Sequence, residues 1–288
     1  MTYTLPSITA EEITFFSSYI YELAGITLGH KKAYLLESRF ALMMEELDCA
    51  SFTELYFLSK SASCKVLEKR LVDAITTHET SFFRDKSPFE LLKKKILPEL
   101  LGSRRQQERM VDTEPTPLSV WSAACSTGQE LYSIAIIIKE LLGDLTPYRI
   151  KLLGSDISDN AIVKATSGLY NDFEINRGLN PERIERFFAR ENGGWLINKE
   201  IRGLTCFRKM NLQTPFNYLG KFDVIFCRNV AVYFSPEDRS RFFRAIAMCM
   251  HPESYLIVGS TESLSGVIDL FVGGQHMGAA YYKLRPQQ

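Results

Sequence analysis

Between Val120 and Ala135 the chain reads V-W-S-A-A-C-S-T-G-Q-E-L-Y-S-I-A. A short apolar run, a turn of Ala, Cys, Ser, Thr and Gly, and a helix start follow one another without interruption. Small residues in such a turn let a backbone approach a ligand closely. Gln129 and Glu130 then fall at the helix N-terminus, where polar and acidic groups suit N–H donors that have no partner inside the helix. The turn is a cradle for a nucleotide-like ligand. It is not G-x-G-x-x-G, so on its own it favours a dinucleotide only weakly over any other nucleoside.

The same strand–helix rhythm runs through the rest of the C-terminal part. Strands are expected at 118–123, 150–155, 204–209, 222–227 and 255–259, with a closing antiparallel pair at 270–272 and 280–284. Apolar strands alternating with helices imply an α/β fold, a parallel sheet with helices on both faces. One spacing is too long for a single helix. Residues 168–203 hold a helix near 181–190 and an Asn192-Gly193-Gly194 hairpin signal, and read as a small inserted β-subdomain.

Residues 1–77 have a different period. Ile13, Phe16, Ile20 and Leu23 share one helical face, and Leu36, Phe40, Met43 and Leu47 share another. Ser51-Phe52-Thr53-Glu54 has the form of a capping box opening a third helix, and Val66, Leu67, Leu71, Ala74 and Ile75 mark a fourth. This predicts an all-helical N-terminal domain. His78 to Lys86 interrupts the pattern, a helix follows over 88–101, and the charged run 102–117 reads as a surface loop, so 78–117 links the helical domain to 118–288.

Composition excludes some classes. Lys+Arg and Asp+Glu both total 34, a formal net charge of +0, which argues against general nucleic-acid binding. The six cysteines contain no C-x-x-C pair, so no metal is expected and they read as reduced thiols of a cytoplasmic protein. The densest apolar stretch, 134–138, runs into Lys139-Glu140, far short of a membrane span, and the chain start lacks a signal-peptide pattern.

In an open α/β sheet, ligands bind beyond the carboxyl ends of the strands. Four segments end there: 124–130 after the first strand, Asp156 after the second, Asn211-Leu212 after the third, and Cys227-Arg228-Asn229 with 230–233 after the fourth. An acid after the second strand commonly accepts hydrogen bonds from ribose hydroxyls. Each has a plainer alternative: Asp156 as a helix N-cap, Asn211 as a turn residue, Arg228-Asn229 as a surface turn.

These segments stand in order with T-T-H-E-T-S-F-F-R-D (76–85), G-S-D-I-S (154–158), A-T-S-G-L-Y (165–170), F-D-V-I-F-C-R-N-V-A-V-Y-F (222–234) and G-S-T-E-S-L (259–264). In order and spacing, across nearly the whole chain, they resemble the chemotaxis receptor methyltransferase family. The resemblance implies a Rossmann-like methyltransferase sheet and S-adenosyl-L-methionine as cofactor, with S-adenosyl-L-homocysteine as product. It implies methyl esterification of glutamates on the cytoplasmic helical domain of chemoreceptors. It places cofactor contacts at His78, Thr80, Arg84, Glu130, Asp156, Asn211, Leu212, Arg228 and Asn229. Asp156 would hold the ribose hydroxyls, and Asn211-Leu212 would frame the adenine by an amide hydrogen bond and apolar contact. Arg84 would pair with the methionine carboxylate, which a planar fork suits. Arg84 and Tyr233 are the residues expected to orient the incoming carboxylate. One of Phe82 and Phe83 is expected to pack against the sheet.

The chain also departs from the family pattern. Gln129-Glu130-Leu131 replaces Glu-Glu-Pro, which leaves open which of the two positions meets the cofactor. Pro252-Glu253-Ser254 replaces Pro-Gly-Gly, and Ala231-Val232 stands where a bulky apolar residue and Ile are usual. The short hairpin at Asn192-Gly193-Gly194 implies no dependence on the receptor's C-terminal pentapeptide, which some members grip there. His30-Lys31-Lys32 and Arg39 are a candidate basic patch for docking on receptor helices, beside the plainer reading of a solvated helix face. A monomer is the default. Two other functions stay open: a degenerate regulator that binds S-adenosylmethionine or S-adenosylhomocysteine without methyltransferase activity, and a nicotinamide dehydrogenase, which the missing G-x-G-x-x-G disfavours.

Overall fold

A computed structural model of the chain describes residues 6–29, 33–61, 65–108 and 115–286. The N-terminal domain is built from α1 (Ala10–Ala24), α2 (Ala33–Glu46), α3 (Phe52–Lys60) and α4 (Lys65–Ile75). Thr9 caps α1 in a reciprocal box with Glu12. The same Glu12 carboxylate accepts the Thr53 N–H at 2.8 Å, which ties α1 to the start of α3. Ser51 caps α3, but Glu54 reaches back to the N–H of Ala50, so only half of the expected box forms. Phe40 and Phe52 close on Phe16, with centroids 5.1 and 6.2 Å away, and all three rings are fully buried. Val66 is exposed, whereas Leu67, Leu71 and Ile75 face this core.

The next helix is longer than its apolar pattern suggests. α5 (Ser87–Leu91), one π turn at Leu92–Ile96 and α6 (Leu97–Glu108) run on without a break. Residues 102–108 of the expected loop are therefore helix, and Thr116 and Pro117 already belong to the first strand; residues 109–114 lie outside the described residues. Leu97, Leu100 and Leu101 bury the start of α6, and a nucleated helix propagates past its last apolar turn because each further residue adds a backbone bond.

β1 (Thr116–Ala123), α7 (Gln129–Leu142), β2 (Tyr148–Asp156) and α8 (Asp159–Ser167) follow. The insertion holds β3 (Leu169–Tyr170), α9 (Asp172–Asn176), α10 (Pro181–Phe187), β4 (Phe188–Glu191), β5 (Gly194–Ile197) and α11 (Lys199–Gly203). Its strands form a separate antiparallel sheet in the order β3-β5-β4. The helix expected to reach Arg190 stops at Phe187, because Phe188 pairs with Ile197 across the Asn192-Gly193 turn. β6 (Thr205–Lys209), β7 (Phe222–Cys227), α12 (Pro236–Met248), β8 (Met250–Val258), β9 (Phe271–His276) and β10 (Ala279–Leu284) complete the chain.

The main sheet has the order β6-β2-β1-β7-β8-β10-β9. β6, β2, β1, β7 and β8 are parallel, and β10 and β9 add antiparallel. Every residue of β7 is buried, as a central strand covered on both faces requires. The order reverses at β1, with β2 and β6 on one side and β7 and β8 on the other. The turns after β1 and β7 therefore open side by side at the switch point of a Rossmann-like sheet. Among the described residues no helix is long and apolar enough to cross a membrane, and Cys125, Cys206, Cys227 and Cys249 are free thiols.

The insertion is clamped to the segment that precedes α5. Gly178 sits at φ 120°, and a Cβ there would lie 1.9 Å from the Phe82 carbonyl oxygen. Gly178→Ala should cost at least about 1–3 kcal/mol from the backbone alone, before the collision is relieved. Chemical denaturation against the unaltered protein measures this, and equal stability would show that the insertion is free to move away.

Candidate functional site

A cavity of about 230 Å³ opens at the switch point. His78, Thr80, Arg84, Glu130, Asp156, Asn211, Leu212, Arg228, Asn229 and Tyr233 all line it. Residues from segments more than a hundred positions apart thus share one cleft. Ala24, Ile26 and Met210 also line it, and the first two come from the helical domain. Sequence reasoning missed them. The available signal was Gly25, which ends α1 in a left-handed turn at φ 69° and so fixes where Ile26 emerges.

The turn after β1 is held in an unusual conformation. Ala124, Ser126 and Gly128 have φ of 60°, 51° and 94°. Glycine adopts this region freely, but Ala124 and Ser126 cost energy there and persist only because their surroundings over-determine them. Here the Cys125 N–H donates to the Ser155 carbonyl at 2.9 Å, the Ser126 N–H to Asp156 Oδ2 at 2.8 Å, and the Tyr170 hydroxyl to the Thr127 carbonyl at 2.8 Å. Asp156 Oδ1 also accepts the Ser158 N–H at 3.0 Å. Asp156 therefore braces the turn as well as lining the cleft. The N-cap of α8 is Ser158, not Asp156. Burial pushes the Asp156 carboxyl up, against the opposing pull of the Ser158 and Ser126 N–H groups.

The charges of the cleft fall into two sets. The Arg228 side chain is 2% exposed and donates through Nη1 to Glu130 Oε2 at 2.9 Å. Its Nη2 reaches the Asp85 carboxylate and the Arg84 carbonyl, the latter at 3.1 Å. The Ser122 hydroxyl donates to the other Glu130 oxygen at 2.7 Å. Arg84 is partly exposed and spends Nη1 on the Glu79 carbonyl at 2.6 Å. The question left open by Gln129-Glu130 has a geometric answer. Glu130 lines the cleft, while the buried Gln129 turns inward and accepts from the Thr127 hydroxyl at 2.8 Å.

Other predicted residues are partly committed elsewhere. Asn211 Oδ1 accepts the Gln213 N–H at 2.9 Å, and Nδ2 donates to the Leu23 carbonyl at 3.0 Å. Its amide spans the domain junction, so the hydrogen bond to a base expected of it competes with these two. His78 Nε2 lies 2.9 Å from the Thr76 hydroxyl, and its carbonyl accepts from Ser126 Oγ at 3.3 Å. Phe82 and Phe83 are both buried, not one of the two: Phe82 meets Tyr170 and Phe188 edge-on, and Phe83 meets Phe89. Arg39 is exposed and donates through Nη1 to the carbonyls of Ala74 and Thr76 at the end of α4; His30-Lys31-Lys32 lie outside the described residues.

Residues 78–276 match the CheR methyltransferase, SAM binding domain, and residues 11–76 match the CheR methyltransferase, all-alpha domain. The chain belongs to the CheR methyltransferase family. The chemotaxis protein methyltransferase of Vibrio parahaemolyticus is 36% identical over 98% of this chain and 100% of its own. Chemotaxis protein methyltransferase 1 of Vibrio cholerae is 35% identical over the same shares, 98% and 100%. Chemotaxis protein methyltransferase 1 of Pseudomonas aeruginosa is 38% identical over 88% of this chain and 90% of its own.

The cofactor of this CheR-family chain is S-adenosylmethionine, and the cleft fits it chemically. It offers a small-residue cradle, an apolar wall at Met210 and Leu212, and the carboxylates of Glu130 and Asp156. Arg228 Nε is buried with no partner among the described residues. Glu130→Ala leaves Arg228 its Asp85 partner but orphans the buried Nη1, at about 1–3 kcal/mol. The variant should lose about that much in denaturation and also weaken cofactor binding in calorimetry. Unchanged stability would mean that Asp85 or water satisfies Arg228 without Glu130.

Proposed function

We propose that this protein transfers the methyl group of S-adenosyl-L-methionine to glutamate side-chain carboxylates on the cytoplasmic helical domain of chemoreceptors, acting in the cytoplasm as a monomer. The observation that carries this reading is the contrast between two arginines of one cleft. Arg228 is neutralised by Glu130 and Asp85. Arg84 forms no ion pair among the described residues and lines the same cleft as Tyr233. It is the cation free to meet a carboxylate.

The bound cofactor supplies a methyl already activated by its sulfonium. A glutamate side chain with a pKa of about 4.3 is already an anion at neutral pH, so no strong base is needed. What remains for the protein is alignment, with reacting atoms about 3–3.5 Å apart. Asp156 takes the ribose hydroxyls and Leu212 packs on the adenine, with Asn211 holding the turn beneath it. His78, Thr80, Glu130, Arg228 and Asn229 surround the amino-acid end. Arg84 pairs with the methionine carboxylate and, together with Tyr233, faces the incoming glutamate. The name chemotaxis protein methyltransferase, carried by relatives that align along nearly the whole chain, supports this substrate class. The two-residue Asn192-Gly193 turn between β4 and β5 gives little to grip a peptide, so transfer proceeds without a C-terminal pentapeptide tether.

Labelled-methyl transfer to a receptor cytoplasmic domain should yield a base-labile ester, at equal rates with and without the pentapeptide. Arg84→Ala should slow single-turnover transfer on the order of a hundredfold through lost alignment of the cofactor and the incoming carboxylate. Tyr233→Phe should slow it by roughly tenfold, one hydrogen bond. Cofactor binding without any transfer would leave the protein a non-catalytic S-adenosylmethionine-binding regulator. The pH dependence has a definite sign. Asp156 accepts ribose hydroxyls as an anion, and its carboxyl is raised from the ordinary 3.8. Cofactor affinity should therefore be lost as pH falls, and the loss should begin above the ordinary aspartate range. Calorimetric titrations at descending pH measure it; an affinity flat through that range would remove Asp156 from the ribose.

A further inference from the structure

The segment that follows β7 supplies much of the cleft: Arg228, Asn229, Val230, Val232, Tyr233 and Phe234 all line it. Its backbone belongs to no sheet, and only a single 3-10 turn, Ala231–Tyr233, gives it regular structure. The N–H groups of Asn229, Val230 and Ala231 precede or open that turn and have no helical acceptor. All of them converge on one side chain. Glu262 Oε2 accepts from Asn229 N–H at 2.7 Å, and Oε1 accepts from Val230 N–H at 2.9 Å and Ala231 N–H at 2.7 Å. Oε2 also accepts from Gly259 N–H at 2.8 Å, so the carboxylate is tied to the end of β8 that carries it. Hydrogen bonds to an ionised acceptor are shorter and stronger than neutral ones, and four meet here.

Two further features fit this arrangement. Asn229 is held at φ 61°, a conformation that needs outside support in a residue with a side chain. Gly259 keeps the slot open, because a Cβ there would lie 2.7 Å from Glu262 Oε2 and 3.1 Å from the Asn229 nitrogen. On the other side of the segment, the Tyr233 carbonyl accepts the Thr27 N–H at 2.9 Å, so the helical domain and Glu262 hold the same stretch from its two ends.

We propose that Glu262 is a positioning residue for methyl transfer: its carboxylate clamps three consecutive backbone amides, 229–231, and so sets where Asn229 and Tyr233 stand in the cleft. The proposal rests on the methyl-transfer function above. Glu262 touches neither cofactor nor substrate and acts through the backbone it holds.

Glu262→Gln keeps the shape but replaces one acceptor oxygen by an NH₂ group that faces N–H donors. With alignment as the chief task of the site, a shift of about 1 Å is worth on the order of a hundredfold in rate. Glu262→Gln should lower the single-turnover rate at saturating cofactor by about that factor and weaken S-adenosylhomocysteine binding about tenfold. Gly259→Ala crowds the same carboxylate without changing its charge and should shift both quantities in the same direction by less. Leu100→Ala, in the buried start of α6, serves as a destabilised control: rate and affinity per folded molecule should match the unaltered protein. All measurements are made well below each variant's melting temperature. A Glu262→Gln protein that melts earlier but keeps the full rate and affinity would show a role in stability alone and overturn the proposal. If the unaltered protein transfers no methyl to receptor carboxylates, the proposed function fails by itself. The S-adenosylhomocysteine affinities then decide on Glu262, since Asn229 lines the cleft with or without turnover: weakening in Glu262→Gln supports the clamp, and unchanged affinity rejects it.

Discussion

The guanidinium of Arg228 lies almost wholly out of water, and acceptors from distant parts of the chain converge on it. Glu130 comes from the first turn of α7, and Asp85 and the Arg84 carbonyl come from the segment before α5. Withdrawing such a group from water costs several kcal/mol, and the cost is offset only when its partners are all in place. The face of Phe89 adds a weaker contact, 5.8 Å from the guanidinium carbon. Ser122 orients Glu130 from within β1, so the central strand itself takes part. The three walls of the cleft are therefore fixed together or not at all. The fit of a segment near residue 80 against one near residue 228 follows from a single electrostatic requirement.

The helical domain is joined to this arrangement at the cleft itself. Besides the Thr27–Tyr233 bond, the Tyr21 hydroxyl donates to Asp238 at 2.7 Å at the start of α12, and Lys69 pairs with Asp159 at 3.3 Å at the start of α8. Gly25 packs directly on Gln213, where a Cβ would lie 2.2 Å from the side chain. A domain that only tethered a partner would have no need to reach the backbone of Tyr233. Its α1 tail instead provides part of the wall, so the geometry around Tyr233 depends on how the two domains sit.

The periodic parts of this fold were legible in the sequence, because period carries direction. β7 coincides with its expected range, 222–227, since an apolar run bounded by a Lys-Phe entry and an Arg-Asn exit has only one extent. Placement of Glu130, Asp156, Asn211, Leu212, Arg228, Asn229 and Tyr233 was equally legible, because each follows a strand and the switch point gathers strand ends; His78, Thr80 and Arg84, between α4 and α5, were reached only through the family resemblance. What was hidden was side-chain commitment. Nothing in Gln129-Glu130 tells which of two adjacent residues turns inward, since the helix start fixes that by its phase against the turn. Nothing in Asn211-Leu212 shows that the amide is drawn to Leu23, 188 residues earlier. The helix over 102–108 was hidden for a different reason: it carries no apolar stripe, and its existence depends on the buried turn before it.

Strained backbone is concentrated where these commitments meet. Phe83, Asp85 and Lys86 on one wall, Ala124 and Ser126 on the second, and Asn229 on the third all have positive φ, between 47° and 66°. Each costs on the order of 1–3 kcal/mol and persists only if something holds it. The holders are identifiable. Ser133 Oγ takes the Phe83 N–H at 3.0 Å, Asp156 takes that of Ser126 at 2.8 Å, and Glu262 takes that of Asn229 at 2.7 Å. In the proposed transfer to a carboxylate, electrophile and nucleophile both arrive activated, which leaves little for acid or base groups to do. Its rate depends on how narrowly the two are aligned, and alignment is what a braced, strained backbone provides. On that proposal, a side chain such as Glu262, which braces the backbone from outside the cleft, enters the chemistry alongside those that line it.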